Sequence, residues 1–300
     1  MKGNMLTFAQ LCLLLCWMLP VCSKKIHLNL TPRGNNEGIP LSMVEDSVDD
    51  MYFGCNEAMM KEVKYKYLEN EKRMYAWDNA KDCTEKKFKE RYDKALTKDH
   101  IQAICVYTSN NLYENFNKAV RTERSIYRSS FPYHSLHYLL TSAIQILNNK
   151  NSCHITYRRS RNKFTGRVNQ IIRFGTFASS SFRTDLTGFG QETCFKIKTC
   201  SGAFLKDYSF YDQEAEVLIP PYEMFKITKE IHLPVKIKGL GDCKVVFVLK
   251  SAGGRSNLNC KAVHQVQKFF SNKLEKNNLP FLNFLTRLSQ LNQLDEQQHS

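Results

Sequence analysis

Several motifs are missing from this chain of 300 residues, and each omission closes a class of chemistry. Neither a C-x-x-C pair nor an H-E-x-x-H helix occurs, and the eight histidines are scattered, which argues against a zinc site. No nucleophile elbow G-x-S-x-G, no phosphate-cradling G-x-x-x-x-G-K and no dinucleotide G-x-G-x-x-G is present. Gly188-Phe-Gly190 lacks the third glycine and a following helix, so a nucleotide held by a Rossmann turn is excluded. No internal repeat suggests a solenoid. The sequence finishes in polar residues 295–300 where a lipid-anchor signal would carry an apolar tail, so no stable membrane anchor is expected.

What is present begins with an export signal. Lys2 precedes the apolar run 11–19, too short to span a bilayer, and Pro20 and the small Ser23 follow, so residues 1–23 read as a cleavable signal peptide. Its removal takes three of the eleven cysteines and leaves Cys55, Cys83, Cys105, Cys153, Cys194, Cys200, Cys243 and Cys260. An even number in an exported chain implies disulfides, whose pairing the spacing alone leaves open. The net charge of +14 falls only to about +13 on cleavage, which favours anionic partners without choosing among them. Asn29-Leu30-Thr31 is an N-glycosylation sequon.

Residues 24–44 hold Pro32, Gly34, Asn35, Asn36, Gly38 and Pro40, the composition of an extended lead-in. Helical patterning runs from Met59 to about Ile146 and is clearest in residues 133–147. There Leu136, Leu139, Leu140, Ile144 and Leu147 form a stripe with spacings of three and four, and Pro132 stands near its start. The charged stretch 85–96 reads as a surface helix. Beyond Asn148 the pattern changes to short strand-like runs at 153–157, 170–174, 193–199, 216–219, 225–231 and 244–249. Helices followed by strands predict an α+β fold with an amino-terminal helical region. Residues 261–300 form a polar, amphipathic tail: Phe281, Phe284, Leu285, Leu288 and Leu291 have helical spacing after Pro280.

Glu214-Ala215-Glu216, running into Val217-Leu218-Ile219-Pro220-Pro221, places two carboxylates at the mouth of an apolar segment. On a strand, positions i and i+2 share a face about 7 Å apart, so both would point into one cleft. Upstream lie Arg158 after the strand-like run 153–157, and the serine cluster Phe177-Ala178-Ser179-Ser180-Ser181 preceded by Arg173-Phe174-Gly175. In this order the chain resembles the vertebrate arginine-specific ecto-ADP-ribosyltransferases, whose R-S-E signature matches Arg158, Ser179 and Glu216, with Glu214 completing E-x-E. The likeness extends through Asp49-Asp50-Met51-Tyr52-Phe53-Gly54-Cys55, Val106-Tyr107-Thr108, residues 116–121 and 136–141, Ile197-Lys198-Thr199-Cys200 and Tyr208-Ser209-Phe210, and so spans roughly residues 45–260.

The resemblance implies two packed β-sheets forming an NAD cleft beside the helical region, a catalytic domain over 45–260, and NAD as co-substrate with no metal. It implies the pairings Cys55 with Cys260 and Cys153 with Cys200, and leaves Cys83, Cys105, Cys194 and Cys243 undecided. Glu216 is the carboxylate that meets positive charge developing on the ribose. Ser179 orients Glu216 and the ribose, and Arg158 holds the phosphates with a planar, permanently charged fork. Glu214 is the acceptor-side carboxylate that orients an arginine guanidinium and relieves it of a proton. Tyr107 and Ser209 stand where relatives contact NAD. The implied function is a secreted, extracellular transferase that moves ADP-ribose from NAD to arginines of extracellular or cell-surface proteins, with no nucleic acid as partner. Two positions depart from the family pattern. Arg159 replaces a usual glycine, so its side chain is expected to crowd the nicotinamide amide, and Thr176 replaces a frequent glutamine.

Two alternatives stay open at this point. An NAD glycohydrolase would use water in place of the arginine acceptor. A catalytically weak relative could act as a basic binding module, since Arg158, Arg159, Arg161, Lys163, Arg167 and Arg173 lie close in sequence with Tyr157, Phe164 and Phe174 interleaved.

Overall fold

The computed structural model describes residues 38–109, 111–148 and 152–263. The signal peptide, the sequon at Asn29 and nearly all of the amphipathic tail lie outside the described residues. The chain enters through β1 (Ile39–Pro40), and Leu41 beyond it is buried among sheet residues. Helices follow: α1 (Asn56–Glu62), a π-helical turn (Val63–Tyr67), α2 (Leu68–Glu71), α3 (Tyr75–Asn79), α4 (Lys81–Lys89), α5 (Lys98–Thr108), α6 (Tyr113–Thr122) and α7 (His134–Leu147). Then come the strands β2 (His154–Ser160), β3 (Phe164–Thr165), β4 (Ile171–Arg173), β5 (Ala178–Ser181), β6 (Thr193–Thr199), β7 (Ala203–Phe204), β8 (Glu216–Ile219), β9 (Glu223–His232) and β10 (Val245–Gly254). The fold is α+β, as the order of elements predicts.

The stripe on α7 is buried as its spacing requires, with Leu136, Leu139, Leu140 and Ile144 all inaccessible to solvent. Its amino terminus has no cap of its own. Instead Glu71, at the end of α2, accepts hydrogen bonds from the backbone N–H groups of Ser135 at 2.6 Å and Leu136 at 3.0 Å, satisfying donors that the helix cannot pair internally. The helix α5 starts with a capping box between Thr97 and His100 and is buried from His100 to Thr108. The surface helix expected over 85–96 is shorter. It ends at Lys89, and the residues beyond form the α4–α5 connection, which folds back against the strand region.

Among the described residues there are two sheets, a parallel pair β1–β3 and an eight-stranded sheet ordered β4-β9-β10-β6-β2-β5-β8-β7. The larger sheet falls into two leaves. Across it β2 pairs with β6 over seven residues, but with β5 at a single pair, Tyr157 with Ser181. Beyond that pair the leaves separate, and the site lies along this seam. One core joins the helices to Phe177, Ala203, Leu205, Tyr208 and Leu218 of the narrow leaf. A second lies on the broad leaf around Phe195, Ile197, Phe225, Ile227, Phe247 and Leu249.

Four disulfides staple these layers. Cys55–Cys260 and Cys153–Cys200 form as the resemblance implies, and the undecided four resolve into Cys83–Cys105, joining α4 to α5, and Cys194–Cys243, joining β6 to the segment before β10. Asp49 and Asp50 reinforce the first bridge. Asp49 accepts from the N–H groups of Asn257 and Leu258, and Asp50 from that of Cys260, so both ends of the folded region are tied by charge-assisted bonds.

Candidate active site

Arg158 projects from β2 at the seam, and its Nη1 donates across the gap to the backbone oxygen of Ser179 on β5 at 2.6 Å. Ser179 therefore sits directly opposite the arginine. Beneath it, the Tyr107 hydroxyl donates to the Phe177 carbonyl at 2.9 Å and lies 3.5 Å from the Ser179 Oγ. Asn117 on α6 donates to the same phenol oxygen at 3.3 Å. Tyr107 is fully buried, so it supports the serine from behind and offers little surface to a ligand.

Glu216 opens β8 and is 6% exposed. Ser209 donates to its Oε2 at 3.1 Å, and Ser179 hydrogen-bonds the same carboxyl. Burial is the largest influence and pushes its pKa up to about 7. The two serines and the Arg158 charge pull the other way, and the neighbouring Glu214 adds to the rise. On Arg158, burial works against the charge, but Tyr113, Tyr107 and Glu216 outweigh it and hold the pKa above the ordinary arginine value. The guanidinium stays charged at every accessible pH.

The expectation that Glu214 and Glu216 share the pleated face of one strand is corrected by the backbone. Asp212–Glu214 is a 3-10 turn, and Ala215 adopts the left-handed conformation at φ 48°. The two carboxylates come from a turn and a strand end on either side of that left-handed residue. Ser181 fastens the turn, its Oγ donating to the Glu214 carbonyl at 2.5 Å and accepting from the Arg183 N–H at 2.8 Å. Glu214 is half-buried, and burial raises its pKa while Arg183 lowers it.

Arg159 overturns a second expectation. Adjacent strand residues face opposite sides of a sheet, so its side chain turns away from Arg158 and does not crowd the seam. There it is buried, donating to the Thr184 and Gly239 carbonyls at 2.8 Å and to Asp242 at 2.8 and 3.0 Å. Arg173 is likewise internal, paired with Asp49 at 2.6 Å with neither side chain exposed. The sequence cluster of six cations is thereby broken up, and it does not form the continuous basic grip of a binding module. Thr176 is buried beside the serine strand, and nothing in the structure assigns its side chain a part in the site.

One cation was not legible as a site residue. Arg121, in the last turn of α6, is exposed at its surface, and partial desolvation together with the Arg158 charge lowers its pKa. A second guanidinium within electrostatic reach of Arg158 suits the paired phosphates of a dinucleotide. No group of three or more His, Cys, Asp or Glu side chains among the described residues could hold a metal ion. No helix among them is long and apolar enough to cross a membrane.

Comparison with known proteins identifies the family. The family model described as NAD:arginine ADP-ribosyltransferase matches residues 41–238. The chain belongs to that family. Among curated relatives, the erythroblast NAD(P)(+)-arginine ADP-ribosyltransferase of Gallus gallus is 31% identical over 78% of this chain and 79% of its own. Ecto-ADP-ribosyltransferase 4 of Mus musculus is 34% identical over 79% of this chain and 82% of its own. Among solved structures, a mutant of the eukaryotic mono-ADP-ribosyltransferase ART2.2 in complex with NADH superposes with a TM-score of 0.62 at 30% identity. It covers 74% of this chain and 98% of that one. In this family the resemblance carried by Arg158, Ser179 and Glu216 acquires its structural frame.

Proposed function

We propose that this family member transfers ADP-ribose from NAD to arginine guanidinium groups of extracellular or cell-surface proteins, and that Arg158, Ser179, Glu216 and Glu214 perform the transfer. The reading is carried by one observation: a buried carboxyl, Glu216, is held by two serine hydroxyls at a seam that a fixed arginine spans. Arg158, with Arg121 nearby, binds the phosphates. The N-glycosidic bond to nicotinamide breaks with its electron pair leaving on nicotinamide, and positive charge builds on the ribose. Glu216, as carboxylate, stabilises that charge from a fixed position, a role in which preorganisation matters more than mobility.

Ser179 and Ser209 orient Glu216, and Tyr107 holds Ser179 from behind. A guanidinium nitrogen of the acceptor then bonds to the ribose carbon and loses one proton, which Glu214 receives. Burial raises its pKa, which makes it a stronger proton acceptor than a solvated carboxylate. Four disulfides among the described residues fit an oxidising compartment, and secretion after cleavage of residues 1–23 completes the proposal.

The test offers labelled NAD to the protein with and without an arginine analogue. Label in the analogue supports transfer, whereas free ADP-ribose alone assigns the protein to NAD hydrolysis. Glu214→Gln should lose transfer while retaining most hydrolysis, and Glu216→Gln should lose both by ~10²-fold or more. A Glu216→Gln protein that turns NAD over at the wild-type rate removes Glu216 from the mechanism.

A further inference from the structure

The sheet face turned away from Arg158 carries a feature that the transfer reaction does not use. In register across five strands lie Ile171 on β4, Lys226 on β9, Lys250 on β10, Lys198 on β6 and Ile155 on β2. A second row beside it runs through Lys229, Val248, Lys196 and Tyr157. Registered residues share a face and neighbouring strands are about 4.8 Å apart, so Lys226, Lys250 and Lys198 stand in a line about 10 Å long. Like charges directly opposite one another repel and destabilise a sheet.

Some lysines elsewhere find acids, as Lys72 does with Asp99, Lys98 with Glu85, Lys206 with Asp93 and Lys244 with Glu192. On this face they do not. Lys198, Lys226, Lys229 and Lys250 are exposed, no acidic residue occupies either row, and none of their four ammonium groups makes an ion pair or hydrogen bond within the described residues. Among the described residues, no acid compensates this line of charge.

We propose that this face binds a linear sulfated polysaccharide. The charges form a line on a twisted surface, which follows a chain of repeating anions better than it meets a planar bilayer. Ammonium groups are point charges matched to sulfate. Base stacking would need exposed aromatic rings, and the rows contain only the half-buried Tyr157. Ile155 and Ile171, 44% and 38% exposed at the two ends of the first row, provide contact for the C–H faces of sugar rings. On β2, Ile155 and Tyr157 face this surface and Arg158 faces the other. Polymer and nucleotide therefore occupy opposite sides of the sheet, and binding holds the enzyme in place without closing its seam.

The experiment titrates the full protein with heparin over a range of salt concentrations, comparing wild type with Lys198→Gln/Lys226→Gln/Lys250→Gln. A control, Lys61→Gln/Lys64→Gln/Lys89→Gln, removes the same charge from the helical region. The sheet variant should lose ~10-fold or more in affinity, and its slope against log salt should fall by about one per lysine. The control should change less than about two-fold, and NAD turnover of the wild type should persist at saturating heparin. Relief of repulsion should leave the sheet variant at least as thermostable as wild type. Should it fail to fold, Lys250→Glu alone serves, since it places opposite charge between Lys198 and Lys226 while weakening heparin binding. Equal losses in the sheet and control variants would reduce the effect to net charge and overturn the proposal. Capture by phosphatidylserine vesicles with no heparin binding would overturn it in favour of a membrane surface.

Discussion

Lys87 Nζ on α4 lies 3.2 Å from Asp212 Oδ2 in the turn that carries Glu214, and the lysine side chain is only 9% exposed. This ion pair is the last of four ties between the helical region and alternate residues of one loop. Lys206 pairs with Asp93, and the Tyr208 hydroxyl donates to Asp93 and accepts from two backbone N–H groups. The Phe210 N–H donates to Thr108, and Asp212 takes Lys87. Between them Ser209 points to Glu216. The helical region, stapled by Cys83–Cys105, thus braces the acceptor side of the site. Lys87→Met should lower transfer to an arginine analogue by about five-fold while leaving NAD hydrolysis within about two-fold, because small displacements of a positioned group cost rate at the step that uses it. Both reactions are measured on one preparation, and equal loss of both would make Lys87 a purely structural residue.

The pH dependence of turnover follows from Glu216. Its carboxyl titrates at about 7 in the free protein, and only the ionised form can meet positive charge on the ribose. The kcat/KM for NAD, which reports the free enzyme, should fall as pH drops below about 7, with one proton taken up. A profile flat between pH 5 and 8 would show that ionisation of this group does not limit the reaction.

The same group sets a stability effect with a defined sign. A folded-state pKa raised from 4.5 to about 7 means that the contribution is fully favourable below about pH 4.5 and is lost as pH rises through 7. At pH 8 the buried carboxylate therefore costs ~3 kcal/mol at most. Glu216→Gln should melt above wild type at pH 8, and the difference should vanish near pH 4. Thermal melts across this range check it.

Buried histidines act in the opposite direction. Burial lowers His100 to about 4, His134 to about 3 and His137 to about 4. Groups depressed in the folded state contribute stability above their ordinary value of about 6.5 and lose it as pH falls towards 4. His134 stacks on Tyr67 at 4.3 Å between ring centroids, a contact that a phenyl ring can keep. His134→Phe should therefore show a smaller fall in melting temperature between pH 7 and pH 4.5 than wild type, measured by calorimetry. An identical fall would assign acid sensitivity to other groups.

Much of this architecture was legible because its signals are local. The α7 stripe and the change from helix to strand depend on residue type and spacing alone, and the R-S-E order stood out through its resemblance to a known family. What escaped depends on contacts distant in sequence. Nothing in Glu214-Ala215-Glu216 announces a left-handed alanine, since alanine rarely adopts that conformation and the turn is held by Ser181 from another strand. Arg159 could be placed only once its partner Asp242 was known, and Cys194–Cys243 closes the same corner. Arg121 lay inside a stretch that matched the family but carried no site signal of its own, and the lysine rows exist only through register across strands that are not consecutive.

Arg159 and Arg173 have one further consequence. A catalyst that modifies guanidinium groups is a hazard to its own arginines. In Arg159 all three side-chain nitrogens donate, to Thr184, Gly190, Gly239 and Asp242. In Arg173 they are engaged by Met43, Val44, Arg255 and Asp49. Neither presents a free nitrogen to an incoming ribose, so the fold shields from self-inflicted chemistry the two arginines whose alteration would dismantle it.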